Sequence, residues 1–160
     1  MKKVLYWTLA LALLLGLAAC GGGKNDAPPL YSSGHVAKID ESGAFTAGLY
    51  DLEEVDADTA FWLYRLEDHG LEREDLKECT ALRSTGATCE EAAVLVFTSA
   101  DKAKTAVDAL SDYIAGQINE NTDYRPAEIP KLENAWISQR GETVLLVVAN
   151  YLDAAKKAVE

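Results

Sequence analysis

Two short apolar runs restrict the fold of this chain more than any other feature. The first is Ala92–Phe97, with the sequence AAVLVF, and the second is Thr143–Ala149, with the sequence TVLLVVA. The run Ala92–Phe97 is apolar on both faces, so both sides of this segment must be shielded from water. Both runs have the length of a strand rather than that of a helix. We therefore predict that Ala92–Phe97 belongs to a central β-strand covered on both faces and that Thr143–Ala149 belongs to a second hairpin.

Each apolar run is predicted to be the second strand of a hairpin. The first hairpin pairs Cys79–Arg83 with the extended run Cys89–Thr98, and its turn contains Gly86. The second hairpin pairs Ala135–Gln139 with the second apolar run, and its turn contains Gly141. The chain therefore supplies two hairpins that can join into one sheet.

An amphipathic helix is predicted after each hairpin. Apolar residues recur at helical spacing along Ala103–Ile118, and Asn150–Glu160 is expected to form a last helix. The resulting ββα units cover about 79–119 and 135–160. We expect an α+β fold of ββα-ββα order, with one four-stranded, largely antiparallel sheet and helices packed on one face.

The two units also resemble each other in sequence. Residues 90–108 align without a gap on residues 142–160, so that Glu90 meets Glu142. An internal duplication would leave such an echo. Convergence would leave it too, because any capped amphipathic helix after a buried strand has a similar pattern. The sequence leaves both explanations open.

The chain before the first hairpin has a weaker pattern. Residues 30–50 are expected to be irregular, apart from a short strand at His35–Ile39. Asp58 can then cap a helix that carries Phe61–Leu66, so the sheet is preceded by a helical N-terminal segment. Since strand side chains alternate between faces, the second face of the sheet also needs a cover. This helix, a ligand or another chain could supply it.

The first twenty residues have the pattern of an export signal. Met1–Lys3 is cationic, Val4–Leu15 is almost continuously apolar, and small residues precede Cys20. A helix over residues 4–19 would span about 24 Å, which is short of the roughly 30 Å hydrocarbon core of a bilayer. A permanent transmembrane helix is therefore the weaker interpretation.

The segment Leu17–Cys20 resembles the lipobox of bacterial lipoproteins. The resemblance implies cleavage between Ala19 and Cys20 and a diacylglyceryl thioether on the cysteine sulfur. A thiol is the nucleophile that this alkylation needs, and two acyl chains give stable attachment to a membrane. We expect the protein at the outer face of the bacterial cell membrane. The expected segments are a signal peptide at 1–19, the lipidated cysteine and a flexible tether at 20–34, and a single domain at 35–160.

Composition limits the partners of this domain. The apolar content of 49% supports a real core, and the formal net charge is −11. A chain this acidic does not hold nucleic acid or anionic lipid headgroups by charge. The membrane contact is therefore expected to depend on the lipid at Cys20, and no nucleic-acid partner is expected.

Cys79 and Cys89 are the two cysteines that remain after lipidation. A disulfide is permitted outside the cytoplasm, and it needs Cα atoms within about 7 Å of each other. A turn centred on Ser84 would place the two cysteines opposite each other, whereas a turn centred on Thr85–Gly86 would not. The sequence leaves open whether they are bridged or are two small buried hydrophobic residues.

No motif indicates catalysis, a cofactor or a metal site. The two histidines, His35 and His69, have no partner at a recognisable spacing. The acidic stretch Asp51–Asp58 lacks the spacing and the glycine of a calcium loop, so we interpret it as a solvated helix entry. Nucleophile-elbow, P-loop and zinc-protease motifs are absent from the sequence. We expect no cofactor, no metal and no enzyme, although a dispersed active site would leave no motif.

The aromatic residues Phe61, Trp62 and Tyr64 are the candidate partner-binding residues. Core packing is the default interpretation of such a cluster. An exposed aromatic patch that binds a partner is the alternative.

From about Leu63 onward, the chain resembles a family of small Gram-positive lipoproteins known as a domain of unknown function, series number four-three-five-eight. The residues that carry the resemblance are Cys20 in its lipobox and three segments, ATCEEAAVLVFTSADKAKTAVDAL at 87–110, YRPAEIPKLENAWI at 124–137 and GETVLLVVANYLDAAKKAVE at 141–160. The resemblance implies location and fold family. It carries no catalytic or binding residues.

The sequence thus predicts a membrane-anchored extracytoplasmic lipoprotein of unknown biochemical activity. The leading hypothesis is a non-enzymatic module that binds a protein or a small molecule at the cell surface. The alternative is a hydrolytic enzyme that acts on envelope material.

Overall fold

The computed structural model describes residues 28–46, 52–86 and 88–160. Within these residues the strands are β1 Leu52–Val55, β2 Leu76–Ser84, β3 Glu91–Phe97, β4 Trp136–Arg140 and β5 Thr143–Val148. The helices are α1 Ser33–Glu41, α2 Ala57–Leu63, α3 Ala100–Asn121, α4 Ile129–Glu133 and α5 Leu152–Val159. Short 3-10 turns lie at Leu66–His69, Arg73–Asp75 and Pro126–Glu128.

The strands form one antiparallel sheet in the order β1-β2-β3-β5-β4. Both predicted hairpins are present, and β3 and β5 pair at the centre, as their apolar sequences require. The α+β class is confirmed, but the prediction of four strands is wrong because β1 adds a fifth at one edge. Glu53 and Glu54 are exposed on this short edge strand. Its LEEV sequence therefore lacks the apolar signal of the central strands.

Helices cover both faces of the sheet, so the prediction of helices on one face is wrong. Leu95 and Leu146 belong to the core beneath α2 and α3. Val94 and Val147 point the other way, into a second core formed with α1 and α5. The second face is therefore closed within the chain by α1 and α5 and needs neither a ligand nor another chain.

The helix α1 replaces the strand that was predicted at His35–Ile39. Val36 and Ile39 are the buried residues of this helix, and their spacing of three places them on one helical face. Ser32 forms a capping box with His35, which starts the helix. Two apolar residues are too few for periodicity to separate a short helix from a short strand.

Residues that align between the two ββα units do not lie on the same face of the sheet. Leu95 aligns with Val147 under the shift, yet the two residues belong to different cores. The helices α3 and α5 likewise pack on opposite faces. A two-fold axis perpendicular to the sheet would keep matching residues on one face, so the units are not related by such an axis.

The packed part of the chain includes Tyr31, whereas a domain boundary at residue 35 would exclude it. The Tyr31 backbone N–H donates to Thr143 Oγ1 at 2.9 Å, and its hydroxyl donates to Ser138 Oγ at 2.7 Å. The Arg140 guanidinium lies 4.3 Å from the centre of the Tyr31 ring. These contacts fix the start of the domain to β4 and β5.

Among the described residues, every helix is too short or too polar to span a bilayer.

Candidate functional site

The predicted lipidation and cleavage residues, Cys20 and Ala19, lie outside the described residues. The other two cysteines are both free. The strand register pairs Cys79 with Leu95 and Arg83 with Glu91, so Cys89 lies at the opposite end of the hairpin from Cys79. This excludes a disulfide between them in this fold. Burial raises the pKa of Cys79 to about 12, and burial also raises the pKa of Cys89.

The aromatic cluster divides between the core and the surface. Phe61 and Tyr64 are buried, whereas 59% of Trp62 is exposed. Residues three apart on α2 share the face that packs on the sheet, and the intervening Trp62 points outward. A partner-binding patch made of all three residues is therefore wrong, and Trp62 alone is available at the surface.

A cleft of about 450 Å³ lies between the Leu63–His69 segment and the C-terminal half of α3. The lining residues are Leu63, Arg65, Asp68, His69, Ala109, Asp112, Tyr113, Gly116, Gln117 and Glu120. This volume falls in the range of small-molecule sites. No sequence pattern indicates this cleft, because its two walls come from segments that are remote along the chain.

The chain turns sharply to form the first wall. The helix α2 ends at Leu63, and Arg65 follows with a φ of 53°, in the left-handed region that non-glycine residues rarely adopt. The turn lets Leu66 enter the core and directs Arg65, Asp68 and His69 toward the cleft. Arg65 and Asp68 form an ion pair with each other.

The two walls meet at His69 and Asp112. The His69 Nε2 atom lies 3.3 Å from the Asp112 Oδ2 atom of α3. The other histidine, His35, belongs to the N-terminal cap of α1, which covers the opposite face of the sheet. The structure thus brings His69, which has no partner at a recognisable sequence spacing, close to a carboxylate of α3.

A buried polar cluster lies behind the cleft wall at Tyr113. The Tyr113 and Tyr64 hydroxyls donate to Glu91 Oε2 at 3.4 Å and 3.5 Å, and Arg83 Nε lies 3.7 Å from the same oxygen. The Glu91 side chain is 2% exposed. Burial raises the pKa of Glu91 to about 7, although Arg83 and the two hydroxyls favour its charged form. Burial also raises the pKa of both tyrosines.

The adjacent carboxylate of Glu90 has a structural role. It accepts the Thr46 backbone N–H at 3.1 Å and the Asn150 backbone N–H at 3.2 Å, and Lys131 Nζ lies 3.6 Å away. The Glu90 carboxylate therefore links three separate segments next to the start of β3. Two glutamates at the start of an otherwise apolar strand are the sequence signal that could have revealed both buried clusters.

Gly116 forms an open part of the cleft wall on α3. It lies in the interior of this 22-residue helix, where glycine costs about 1 kcal/mol relative to alanine. A Cβ atom built at this position meets no atom within 4 Å. Packing among the described residues therefore does not require a glycine here, and a side chain would find no described atom in its way.

Two carboxylates of the acidic stretch before α2 make contacts within the chain. Asp56 caps α2 by accepting the Thr59 backbone N–H at 2.9 Å, and Asp58 pairs with Arg73 at 2.6 Å. Asp51 lies outside the described residues. Over the described residues, no group of three or more histidine, cysteine, aspartate or glutamate side chains could hold a metal ion.

Comparisons with known proteins give one match. Searches of curated proteins and of solved structures found none. A family model described as "Domain of unknown function (DUF4358)" matches residues 47–149. The matched region contains the whole sheet and both walls of the cleft, while α1 and α5 lie outside it. Because the match covers more than half of the chain, this protein belongs to the DUF4358 family, a domain of unknown function.

Proposed function

We propose that this protein is a non-enzymatic binding module at the outer face of the bacterial cell membrane. The export signal and the lipobox-like Leu17–Cys20 segment support a lipid anchor on Cys20. The ligand occupies the cleft between the Leu63–His69 segment and α3. It is a protein segment or a small molecule.

The observation that carries this proposal is Gly116. A glycine inside a helix is often explained by a neighbouring group that leaves no room for a side chain. At Gly116, no described atom lies within 4 Å of a Cβ atom built at this position. A ligand that approaches the bare backbone of α3 explains the residue. The cleft is therefore favoured over Trp62, which is a single exposed aromatic residue and forms no concave surface.

The anchor is tested on protein from the host membrane. Mass spectrometry of its N-terminal peptide is expected to show Cys20 as the first residue, with a diacylglyceryl group on sulfur. The Cys20→Ser variant is expected to leave the membrane fraction. An uncleaved leader or an unmodified thiol would contradict the anchor.

The cleft is tested with two matched leucine substitutions on α3. Gly116→Leu fills the cleft, whereas Ala115→Leu adds the same side chain at a neighbouring exposed position that does not line it. Cross-linking in the native membrane, followed by isolation of the anchored protein, identifies the components that are bound to each variant. We expect Gly116→Leu to lose a bound component that the wild type and Ala115→Leu keep. Equal retention by the two variants would contradict the cleft as the site.

A hydrolytic activity is the second candidate, and the His69–Asp112 pair is the observation that favours it. The pair lies in the cleft, so a histidine and a carboxylate, two groups that can act in general acid–base catalysis, meet there. None of the described residues that line the cleft is a serine, threonine or cysteine, so an acyl-enzyme mechanism has no such nucleophile there, whereas Asp68, Asp112 and Glu120 supply carboxylates. Hydrolysis of envelope polymers by the wild type, and not by the His69→Ala variant, would show that the protein is an enzyme and not a binding module.

A further inference from the structure

The cleft carries more negative than positive charge. Asp68, Asp112 and Glu120 contribute three carboxylates to its lining, and Arg65 contributes one guanidinium. Arg65 is already paired with Asp68, and His69 with Asp112. An anionic ligand would therefore find no unpaired cation among the lining residues.

Glu120 is the lining carboxylate with the weakest partner. The Gln117 side-chain amide donates to it at 3.3 Å, and no ion pair to it is formed within the described residues. Glu120 also lies in the last turn of α3, a turn without a basic residue. The C-terminal end of a helix is its negative pole, so a carboxylate there is unfavourable for helix stability. The helix end and Glu120 together favour a positive charge in the cleft.

The remaining lining is apolar and fits the stem of a side chain. Leu63, Ala109 and the bare backbone at Gly116 form this part of the wall. Tyr113 is buried where it lines the cleft, and its hydroxyl is directed inward to Glu91.

We propose that the cleft binds an aliphatic ammonium or guanidinium group on a short apolar stem. A lysine or arginine side chain of a peptide and a polyamine both have this chemistry. The stem packs along Leu63, Ala109 and Gly116, and Glu120 is the principal counter-ion. This inference rests on the proposed function, because it assigns a ligand class to the same cleft.

The test is an NMR titration of the isotope-labelled full-length protein in detergent, at about 0.15 M salt to screen long-range attraction. The cationic probes are Nα-acetyl-lysine methylamide and spermidine. The matched probes are the same lysine compound acetylated on Nε, which is neutral, and glutarate, which is anionic. We expect the cationic probes to shift the backbone amides of Asp112, Gly116 and Gln117. A preference for one of the two cationic probes distinguishes a peptide from a polyamine as the source of the ligand.

Two charge variants separate the cleft from the overall charge of the protein. Glu120→Gln removes a carboxylate from the cleft, and Glu41→Gln removes an exposed one from α1, on the opposite face of the sheet. An exposed ion pair contributes about 0.2–1 kcal/mol, so Glu120→Gln is expected to weaken binding roughly 1.5- to 5-fold. Glu41→Gln is expected to leave the affinity unchanged.

Three results would overturn the inference. Equal weakening by the two variants would show that the net charge of the chain attracts the probes. Equal shifts with the neutral lysine compound would exclude a cationic ligand but would leave the cleft as a binding site. Absence of shifts with every probe would exclude this ligand class, while the comparison of Gly116→Leu with Ala115→Leu would still decide the proposed function.

Discussion

Raising the pH through neutrality is expected to destabilise this protein because of Glu91. Burial raises the pKa of this carboxyl group from 4.5 to about 7 in the folded state. The folded protein therefore binds more protons than the unfolded chain between these values, and its free energy of unfolding falls as the pH rises. One pKa unit corresponds to about 1.4 kcal/mol, so the loss is about 3 kcal/mol once Glu91 is ionised.

The Glu91→Gln variant isolates this effect. Glutamine has nearly the same size and still accepts from Tyr64 and Tyr113, but it cannot ionise. We expect the variant to be more stable than the wild type at about pH 8 and to differ little from it at about pH 5. Urea unfolding followed by tryptophan fluorescence at both pH values measures the two free energies. Glu41→Gln, an exposed substitution, is the control and is expected to keep the pH dependence of the wild type.

Two carboxylates with a lowered pKa change the free energy of unfolding in the opposite direction, but they do so only at a more acidic pH than the one used for this comparison. Hydrogen bonds from Thr59 lower the pKa of Asp56, and the hydrogen bond from Lys102 lowers the pKa of Asp75, both from 3.8. Their stabilising contributions are lost only as the pH falls below that value. The reasoning is refuted if the wild type gains stability between about pH 5 and about pH 8, or if Glu91→Gln keeps the slope of the wild type.

The other predictions concern the helix, the thiols and the core. Gly116→Ala should raise the free energy of unfolding by about 0.5–1 kcal/mol in urea titrations, because alanine is the better helix former; destabilisation would reveal a packing role for the glycine. Cys89 is buried and Cys79 is partly buried with its pKa raised to about 12, so both should react slowly with iodoacetamide until the protein is unfolded, and rapid modification of the folded protein would contradict this expectation. Leu95→Ala should cost roughly 2–5 kcal/mol in the same titrations, whereas Trp62→Ala should cost less than about 0.5 kcal/mol.

The centre of the sheet could be predicted from sequence because its signal is local. Ala92–Phe97 lacks polar residues, and this property alone requires a cover on both faces. The edge strand β1 carries no such signal, because it is half-exposed and contains two glutamates. The side of the sheet on which each helix packs also depends on long-range contacts, so α1 and α5 were not assigned to the second face.

The candidate site was largely beyond sequence analysis. His69 has no partner at a recognisable spacing in the sequence, because its partner Asp112 lies on a different helix. The aromatic cluster was visible, but the division between buried Phe61 and exposed Trp62 depends on the orientation of α2. In the sequence Gly116 is only one residue of a helix, and its open surroundings are visible only in the structure.

Hydrogen–deuterium exchange of the protein in its native membrane, compared with the purified protein, tests the binding cleft most directly. We expect slower exchange in the membrane for the segments Leu63–His69 and Asp112–Glu120, and loss of this protection in Gly116→Leu. Equal exchange of these two segments in both preparations, or protection that persists in Gly116→Leu, would contradict the account.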